Sequence, residues 1–493
     1  MSRVVVVGAG LGGLCAAVEL AARGLEVTVL EARNGPGGKA GVVVLDGVEC
    51  DTGPSVLTLP EAFAQVFASA GTRLEDEIEL VRESPGFRYV YPDGVVLDVH
   101  HEPEDTLAAV RATLGPAAED ELAGFLAYAQ RIWDASADTF VFGDAPTVGT
   151  AVRFGLKGVS MLMSIDAGRS MAAAIERRIT SPHLRDLLLR YATYNGSDPH
   201  VAPATLNCIA HVELALGGFG IEGGISALVE ALVRVAERAG VVFRYDAPVT
   251  EIRTDGRRAT GVVINGGELL AADAVVANAD PEHVFRHLLP ERFGRRRRSE
   301  LPPSTSGFNA ILRAPRDPAR APHTVVFPPD YAQEFEDLFE HDRPPRDPTV
   351  YLCDQSRCHH RPGWPDAVPL FVMANAPAEP TSGPRDPGVW RALEAAMTER
   401  MKAAGVIEGE VPWLWRRTPT DLAEAFPGSR GALYGAASNS PLAAFKRPPN
   451  RLNRPAGLYL ASGGAHPGGG MPLCASSGRV AARAVLDDLR VPA

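Results

Sequence analysis

The chain opens on a short, wholly apolar run. Val4 to Val7 shows none of the alternation of a half-exposed strand and predicts a buried, parallel one. Leu14 to Arg23 follows with helical spacing rich in Ala and Leu, closed by Gly24 at a C-cap position. Glu26 to Leu30 predicts a second strand that ends at Glu31. Between residues 60 and 215 the pattern turns mainly helical. Glu104–Leu114 is one such stretch, and Ser181–Tyr194 is another, with Ser181 placed to cap and Pro182 at the first helical position. From Phe219 the strand and helix alternation returns. Ala231, Leu232, Val235 and Ala239 keep helical spacing, and Val241–Tyr245, Val249–Thr254, Thr260–Ile264 and Leu269–Leu270 predict strands, with Gly266-Gly267 as a hairpin turn. Ala274 to Ala279 predicts another buried strand. Between 300 and 420, Pro pairs separate short strands (Thr324–Phe327, Val350–Cys353, Leu370–Ala374), which predicts a mixed sheet with long surface loops. Gly457–Ser462 reads as a last strand, and Ser477–Leu489 falls in a closing helix. The class is α/β with an inserted α+β part.

The first turn carries chemistry. Gly8, Gly10 and Gly13 have the G-x-G-x-x-G spacing between a strand and a helix. In such a turn the first glycine permits the tight bend, the second lets backbone approach a pyrophosphate, and the third lets helix pack on strand. The helix N-terminus then presents free N–H groups and a positive dipole end to the phosphates. Glu31, at the end of the second strand, is placed to accept hydrogen bonds from ribose hydroxyls and disfavours a ribose phosphate. The layout predicts dinucleotide binding without NADP.

Composition narrows the partners. A formal net charge of -11 leaves no general affinity for nucleic acid or an anionic membrane. No run of eighteen apolar residues marks a membrane span. The start passes straight into a strand, and six cysteines are scattered without a framework, so a cytoplasmic, reduced protein is expected. One stretch stands apart. Ala151–Met171 is apolar and Met-rich with Arg153, Lys157 and Arg169 interleaved, which suits a membrane interface as well as a core helix or pocket wall. Arg295–Arg298 reads as a solvated basic loop. Cys353, Cys358, His359 and His360 match no common zinc spacing, so no metal is expected. No G-x-S-x-G elbow supports a hydrolase.

Several motifs carry a family resemblance. Glu31 through Lys39, with Gly37-Gly38-Lys39 and then Asp51-Thr52-Gly53-Pro54, resembles the phosphate-contacting pattern of amine-oxidase-like flavoproteins. RYATYNGSDPHVAPATLN (Arg190–Asn207), FPGSRGALYGAASNSPLAAFKRPPNR (Phe426–Arg451) and GLYLASGGAHPGGGMPLCASSGRVAA (Gly457–Ala482) are similar to the bacterial carotenoid desaturases of the phytoene desaturase type, in motif order along the whole chain. The resemblance implies a discontinuous FAD-binding domain (1–60, 215–300 and 425–493) and a substrate domain with a helical membrane-associating part (61–214 and 301–424). It places FAD against Gly8, Gly10, Gly13, Leu14, Glu31 and Ala32, against Gly37, Gly38, Lys39 and Pro54, against Val249 and Asn278, and against Gly463, Gly464, Met471 and Pro472.

The activity it implies is removal of hydrogen from an acyclic carotenoid to extend the conjugated polyene. A hydrocarbon has no acidic proton, so the flavin takes a hydride and only a modest base is needed. His466 is the candidate for that base. The wording APATLN followed by HVE favours a 1-hydroxylated substrate and the hydroxycarotenoid 3,4-desaturase side, with His211 and Glu213 as a polar pair that could meet a substrate hydroxyl. Phytoene or neurosporene desaturation, a related isomerase, and amine or protoporphyrinogen oxidation stay open. So does a non-catalytic prenyl-lipid escort protein. An aromatic cage facing the flavin would point to amines. The substrate implies peripheral contact with the inner face of the cytoplasmic membrane, with Ala151–Met171 as its candidate. The terminal acceptor, oxygen or a quinone, leaves no mark.

Overall fold

A five-stranded parallel sheet runs in the order Leu458–Leu460, Ala274–Ala277, Arg3–Val7, Glu26–Leu30, Val242–Arg244. The structure is a computed structural model and describes residues 2–145, 164–294, 301–440 and 442–491. The opening run owes its continuous apolarity to its place at the sheet centre, covered on both faces. Val4 and Val6 point into one core, shared with the helices Leu11–Ala22, Ile225–Arg238 and Met471–Leu489, while Val5 and Val7 point into another. That second core lies against a three-stranded antiparallel sheet, Val249–Thr254, Ala259–Ile264 and Leu269–Ala271. Phe63, Val66 and Phe67 of the helix Glu61–Ser69 join the first core, so this layer runs on past residue 60.

The other large sheet has seven strands, in the order Trp413–Arg417, Ser306–Pro315, Ala367–Ala376, Val350–Asp354, His323–Val326, Phe87–Val90, Val96–Val99. All neighbours are antiparallel except His323–Val326 and Phe87–Val90. Trp390, Leu393 and Met397 of the helix Pro387–Ala403 cover one part of it, and Phe125, Ile132 and Leu184 of the helices Pro116–Ser136 and Pro182–Leu189 pack with Tyr89 and Phe327.

Three elements differ from the sequence expectation. The first helix starts at Leu11, so Gly12 and Gly13 lie inside it, because helix and loop backbone meet there too closely for side chains. Phe87–Val90 and Val96–Val99 form strands within the stretch read as mainly helical; their place is secured by pairing with His323–Val326, far along the chain. The helix begun at Pro182 stops at Leu189, and Arg190–Asn195 tightens into a 3-10 turn closed by Gly196 at φ 59°. Of the Ala151–Met171 stretch, residues 151–163 lie outside the described residues, as do Arg295–Arg298. Its described apolar end, Ile165 and Met171, is buried in the core. Among the described residues no helix is long and apolar enough to cross a membrane.

Candidate active site

The glycine loop is closed by contacts from four chain segments. Gly8 bends at φ 98°, and a Cβ on Gly13 would run into the Gly8 carbonyl oxygen, so the helix can approach the strand only without one. Leu14 behind them is fully buried, and its N–H donates to Gly10 O at 2.9 Å. Asn278 emerges from the neighbouring strand, donates through Nδ2 to Ala461 O, and sets its Oδ1 beside Gly10. Gly37 N donates to Ala9 O at 2.9 Å and bridges Gly10, which brings Gly37 and Gly38 against the loop. The buried Glu31 carboxylate accepts from Ala9 N at 2.7 Å and Arg33 N at 3.0 Å, and Ala32 beside it is exposed. Each oxygen keeps acceptor capacity for a ribose hydroxyl. Half-buried Gly8 and Gly10, a helix N-terminus and an oriented carboxylate form a cradle that fits a dinucleotide.

Other expected contacts are placed differently. Lys39 Nζ donates to the carbonyls of Ala432 and Leu433 at 2.7 and 3.0 Å, and burial pulls its pKa down while Asp280 opposes the shift. It ties the Gly37–Lys39 loop to the C-terminal segment. Val249 starts its strand opposite Ile264, at the rim of the second core. A Cβ on Gly463 would meet Gly469, and one on Gly464 would meet Pro281, so these glycines let protein backbone pass protein. Gly469 likewise abuts Tyr434. Gly470, at φ 112°, faces open space and starts the helix at Met471, with Pro472 in its first turn.

That helix start forms one wall of a cavity of about 320 Å3. Gly469–Leu473, with Gly53–Ser55, bound it on the parallel-sheet side; Tyr351, Phe371 and Met373 of the seven-stranded sheet bound it opposite. Pro54, Met471 and Pro472, expected against FAD, line this cavity. His466 does not. It is buried, its Nε2 faces Gly143 O at 3.1 Å, and burial lowers its pKa. A nitrogen facing a carbonyl carries the proton, so this atom is a donor.

Sequence reasoning missed the polar groups of the wall. Ser55 Oγ lies 2.6 Å from Tyr351 OH, which lies 2.8 Å from His323 Nδ1, a hydrogen-bonded chain leading from the cavity to a buried imidazole. His323 in turn sits with the sulfurs of Cys353 and Cys358, their ligand atoms within 4.8 Å of one another. His359, of the suspected Cys/His group, instead accepts from Ile221 N through Nδ1 at 3.1 Å. Arg190, Thr193 and Tyr194 also line the cavity; in a 3-10 turn residues i and i+3 eclipse, so Arg190 and Thr193 face the same way. Glu213 is buried and accepts from the Tyr191 and Tyr194 hydroxyls, and no hydrogen bond joins it to His211 among the described residues. The motif RYATYN already contained Arg190 and Tyr194, but spacing gave no sign that they face a cavity.

Comparison with known proteins agrees with this geometry. A family model described as flavin containing amine oxidoreductase matches residues 11–486. The hydroxyneurosporene desaturase of Rubrivivax gelatinosus is 35% identical over 99% of this chain and 94% of its own length. The zeta-carotene-forming phytoene desaturase of Myxococcus xanthus is 32% identical over 97% of this chain and 92% of its own. Among solved structures, an oxidoreductase from Methanosarcina mazei superposes with a TM-score of 0.63 at 17% identity, covering 98% of this chain and 100% of that one. Putrescine oxidase bound to putrescine gives 0.60 at 16% identity, with 99% of each chain covered. These two share the fold. The cofactor is FAD, and the chain belongs to the flavin containing amine oxidoreductases, in the branch that holds the carotenoid desaturases.

Proposed function

We propose that the protein is an FAD-dependent carotenoid desaturase of carotenoid biosynthesis, acting on an acyclic carotenoid. The observation that carries this reading is the cavity, largely apolar and bounded directly by the helix start and the Gly53–Ser55 segment of the cofactor layer. The desaturase names of relatives aligned over nearly the whole chain support it.

When bound, FAD supplies the two-electron acceptor for a hydride from an allylic carbon. The chain does the rest. Gly8 to Gly13 and the helix at Leu11 hold the pyrophosphate, and Glu31 holds the ribose. The walls keep water out and fix the polyene's orientation, which is where positioning lowers the barrier. Loss of the hydride leaves a cation, and its proton has to leave the cavity. We place that proton on the Ser55–Tyr351–His323 chain: the Ser55 oxygen accepts it, the Ser55 proton passes to Tyr351, and the Tyr351 proton passes to His323 Nδ1. His466 then serves as a buried strut between the glycine-rich turn and Gly143.

A substrate this apolar is delivered from a membrane. Exposed Leu442 and Phe445 support a lipid-facing mouth, since Phe445 packs on Phe140, the neighbour of the cavity-lining Val141. Peripheral contact with the inner face of the cytoplasmic membrane through this edge completes the reading, with oxygen or a quinone as terminal acceptor. The test is to supply FAD-loaded protein with acyclic carotenoids in liposomes. A bathochromic shift of the polyene absorption supports the function; a flavin-loaded protein that leaves every spectrum unchanged overturns it.

A further inference from the structure

Among the described residues Arg190 is the one permanently charged side chain on the cavity wall, and it is 7% exposed. Four rings surround its guanidinium: Tyr194 at 5.0 Å, Tyr89 at 5.7 Å, Tyr351 at 5.9 Å and Phe87 at 6.0 Å. The rings hold the cation by their negative faces but accept few of its protons. Its hydrogen bonding is far from complete. Nη1 donates to Tyr89 OH at 3.3 Å and lies 3.9 Å from Glu213, whose two oxygens already accept from Tyr191 and Tyr194. Nε and Nη2 have no hydrogen-bonding partner among the described residues. A guanidinium carries five donors, so most of this fork is left for whatever enters the cavity.

We infer that Arg190 recognises a neutral oxygen, a hydroxyl or an ether, on the carotenoid substrate. This deepens the desaturase reading and rests on it. A pure hydrocarbon entering the cavity displaces water from the guanidinium and offers no acceptor, so the donors are buried unpaired. An oxygen on the substrate restores the hydrogen bond. Glu213 balances the charge of Arg190 nearby, so the site has no net need for an anion, and an ammonium group meets a cation where an amine-binding cage would be empty. The aromatic cage that would suit an amine is filled by Arg190 itself. Because arginine only donates, the site treats an alcohol and its methyl ether alike and separates both from the hydrocarbon.

The test uses three acyclic carotenoids that share one polyene: the hydrocarbon, its terminal alcohol and the methyl ether of that alcohol. Each is given in liposomes to the FAD-loaded wild type, Arg190→Gln and Arg190→Met, and both binding (from the carotenoid absorption) and turnover are read. The wild type is expected to prefer the alcohol and the ether over the hydrocarbon by about 10- to 100-fold, the range for a charge-assisted hydrogen bond. Arg190→Met is expected to lose that preference, binding of the alcohol and the ether falling to the level of the hydrocarbon. Retained FAD reports folding, and if neither variant holds FAD the wild-type ranking of the three ligands alone decides. Equal binding of the three by the wild type, or an alcohol preference that survives in a folded Arg190→Met, overturns the inference and leaves the desaturase reading standing. Arg190-dependent binding of the alcohol without any turnover does the reverse.

Discussion

On one side of the cavity, Gly8, Gly13 and Glu31 come from a single short stretch of chain whose strand, turn and helix are consecutive. On the other side, Ser55 and Tyr351 meet across 296 residues of sequence, and Arg190 reaches the same wall from a 3-10 turn between them. The first side binds with backbone, so glycine spacing defines it. The second selects with side chains, and its geometry exists only once the seven-stranded sheet has formed. Substitutions should separate the two sides cleanly, backbone lesions acting on cofactor and fold, side-chain lesions on chemistry and choice of substrate.

The largest effect is expected at Gly13. Gly13→Ala puts a Cβ against the Gly8 carbonyl and the Asn278 side chain, and the first contact is with backbone that cannot move aside. The variant is expected to be isolated without flavin or not in soluble form, as measured by released FAD per chain. A stable Gly13→Ala holding a full complement of FAD would mean that the loop is looser than its packing indicates.

Next is the seam between the two layers. Asp51 and Arg361 are both almost fully buried, with Asp51 Oδ1 3.0 Å from Arg361 Nη2, and Asp51 Oδ2 also accepts from Ile225 N at the start of a parallel-layer helix. Arg361→Met strands a buried carboxylate, which costs about 3–5 kcal/mol. Its unfolding midpoint should fall sharply, whereas Asp51→Asn with Arg361→Met together should recover part of the loss. A single substitution that leaves the midpoint unchanged would show that the seam is solvated.

The same contrast explains how far the sequence could be read. Val4–Val7, the glycine turn and the helix of residues 225–238 were legible because their signals are local: a β-branched run, a fixed spacing, a 3.6-residue period. The first helix starts at Leu11 rather than Leu14; Gly13 packs it on the strand as its spacing predicts, and Gly12, at no motif position, meets the Ala461 carbonyl, a contact made only by folding. Phe87–Val99 was absorbed into a helical region, since its partner strand, His323–Val326, is out of reach of any local window. Gly37, Gly38 and Asn278 meet the glycine loop, whereas the bare glycines of the C-terminal motif accommodate Tyr434, Pro281 and one another as well as the cavity. His466 was singled out as the one titratable side chain in that motif. Ser55 and Tyr351 had no motif to mark them, because hydroxyl pairs made by folding leave no spacing behind.

Tyr351→Phe probes the selective side with one atom. The ring stays beside Arg190 and Phe371, but the link between Ser55 and His323 is cut. Turnover is expected to drop by about 10- to 100-fold, at the low end of what proton transfer contributes, with FAD content and carotenoid binding unchanged. Undiminished turnover would place the proton's exit elsewhere.

The smallest effect belongs to Asp186, on the helix Pro182–Leu189 that leads into the cavity-lining turn Arg190–Asn195. Burial pushes its pKa up to about 6, with His183 opposing the shift and Asp330 adding to it. The folded state therefore holds the proton more tightly than the unfolded chain, whose aspartates titrate near pH 4. The stability this contributes is complete below about pH 4 and is lost as pH rises through 6. Asp186→Asn imitates the protonated form at every pH. It should match the wild type near pH 4 and exceed it by about 1–2 kcal/mol at pH 8, once partial exposure is allowed for. The check is the difference in unfolding midpoint between the two proteins across that range. A difference that does not grow with pH would show that the carboxyl is solvated in the fold, and that this side of the molecule carries its charge without cost.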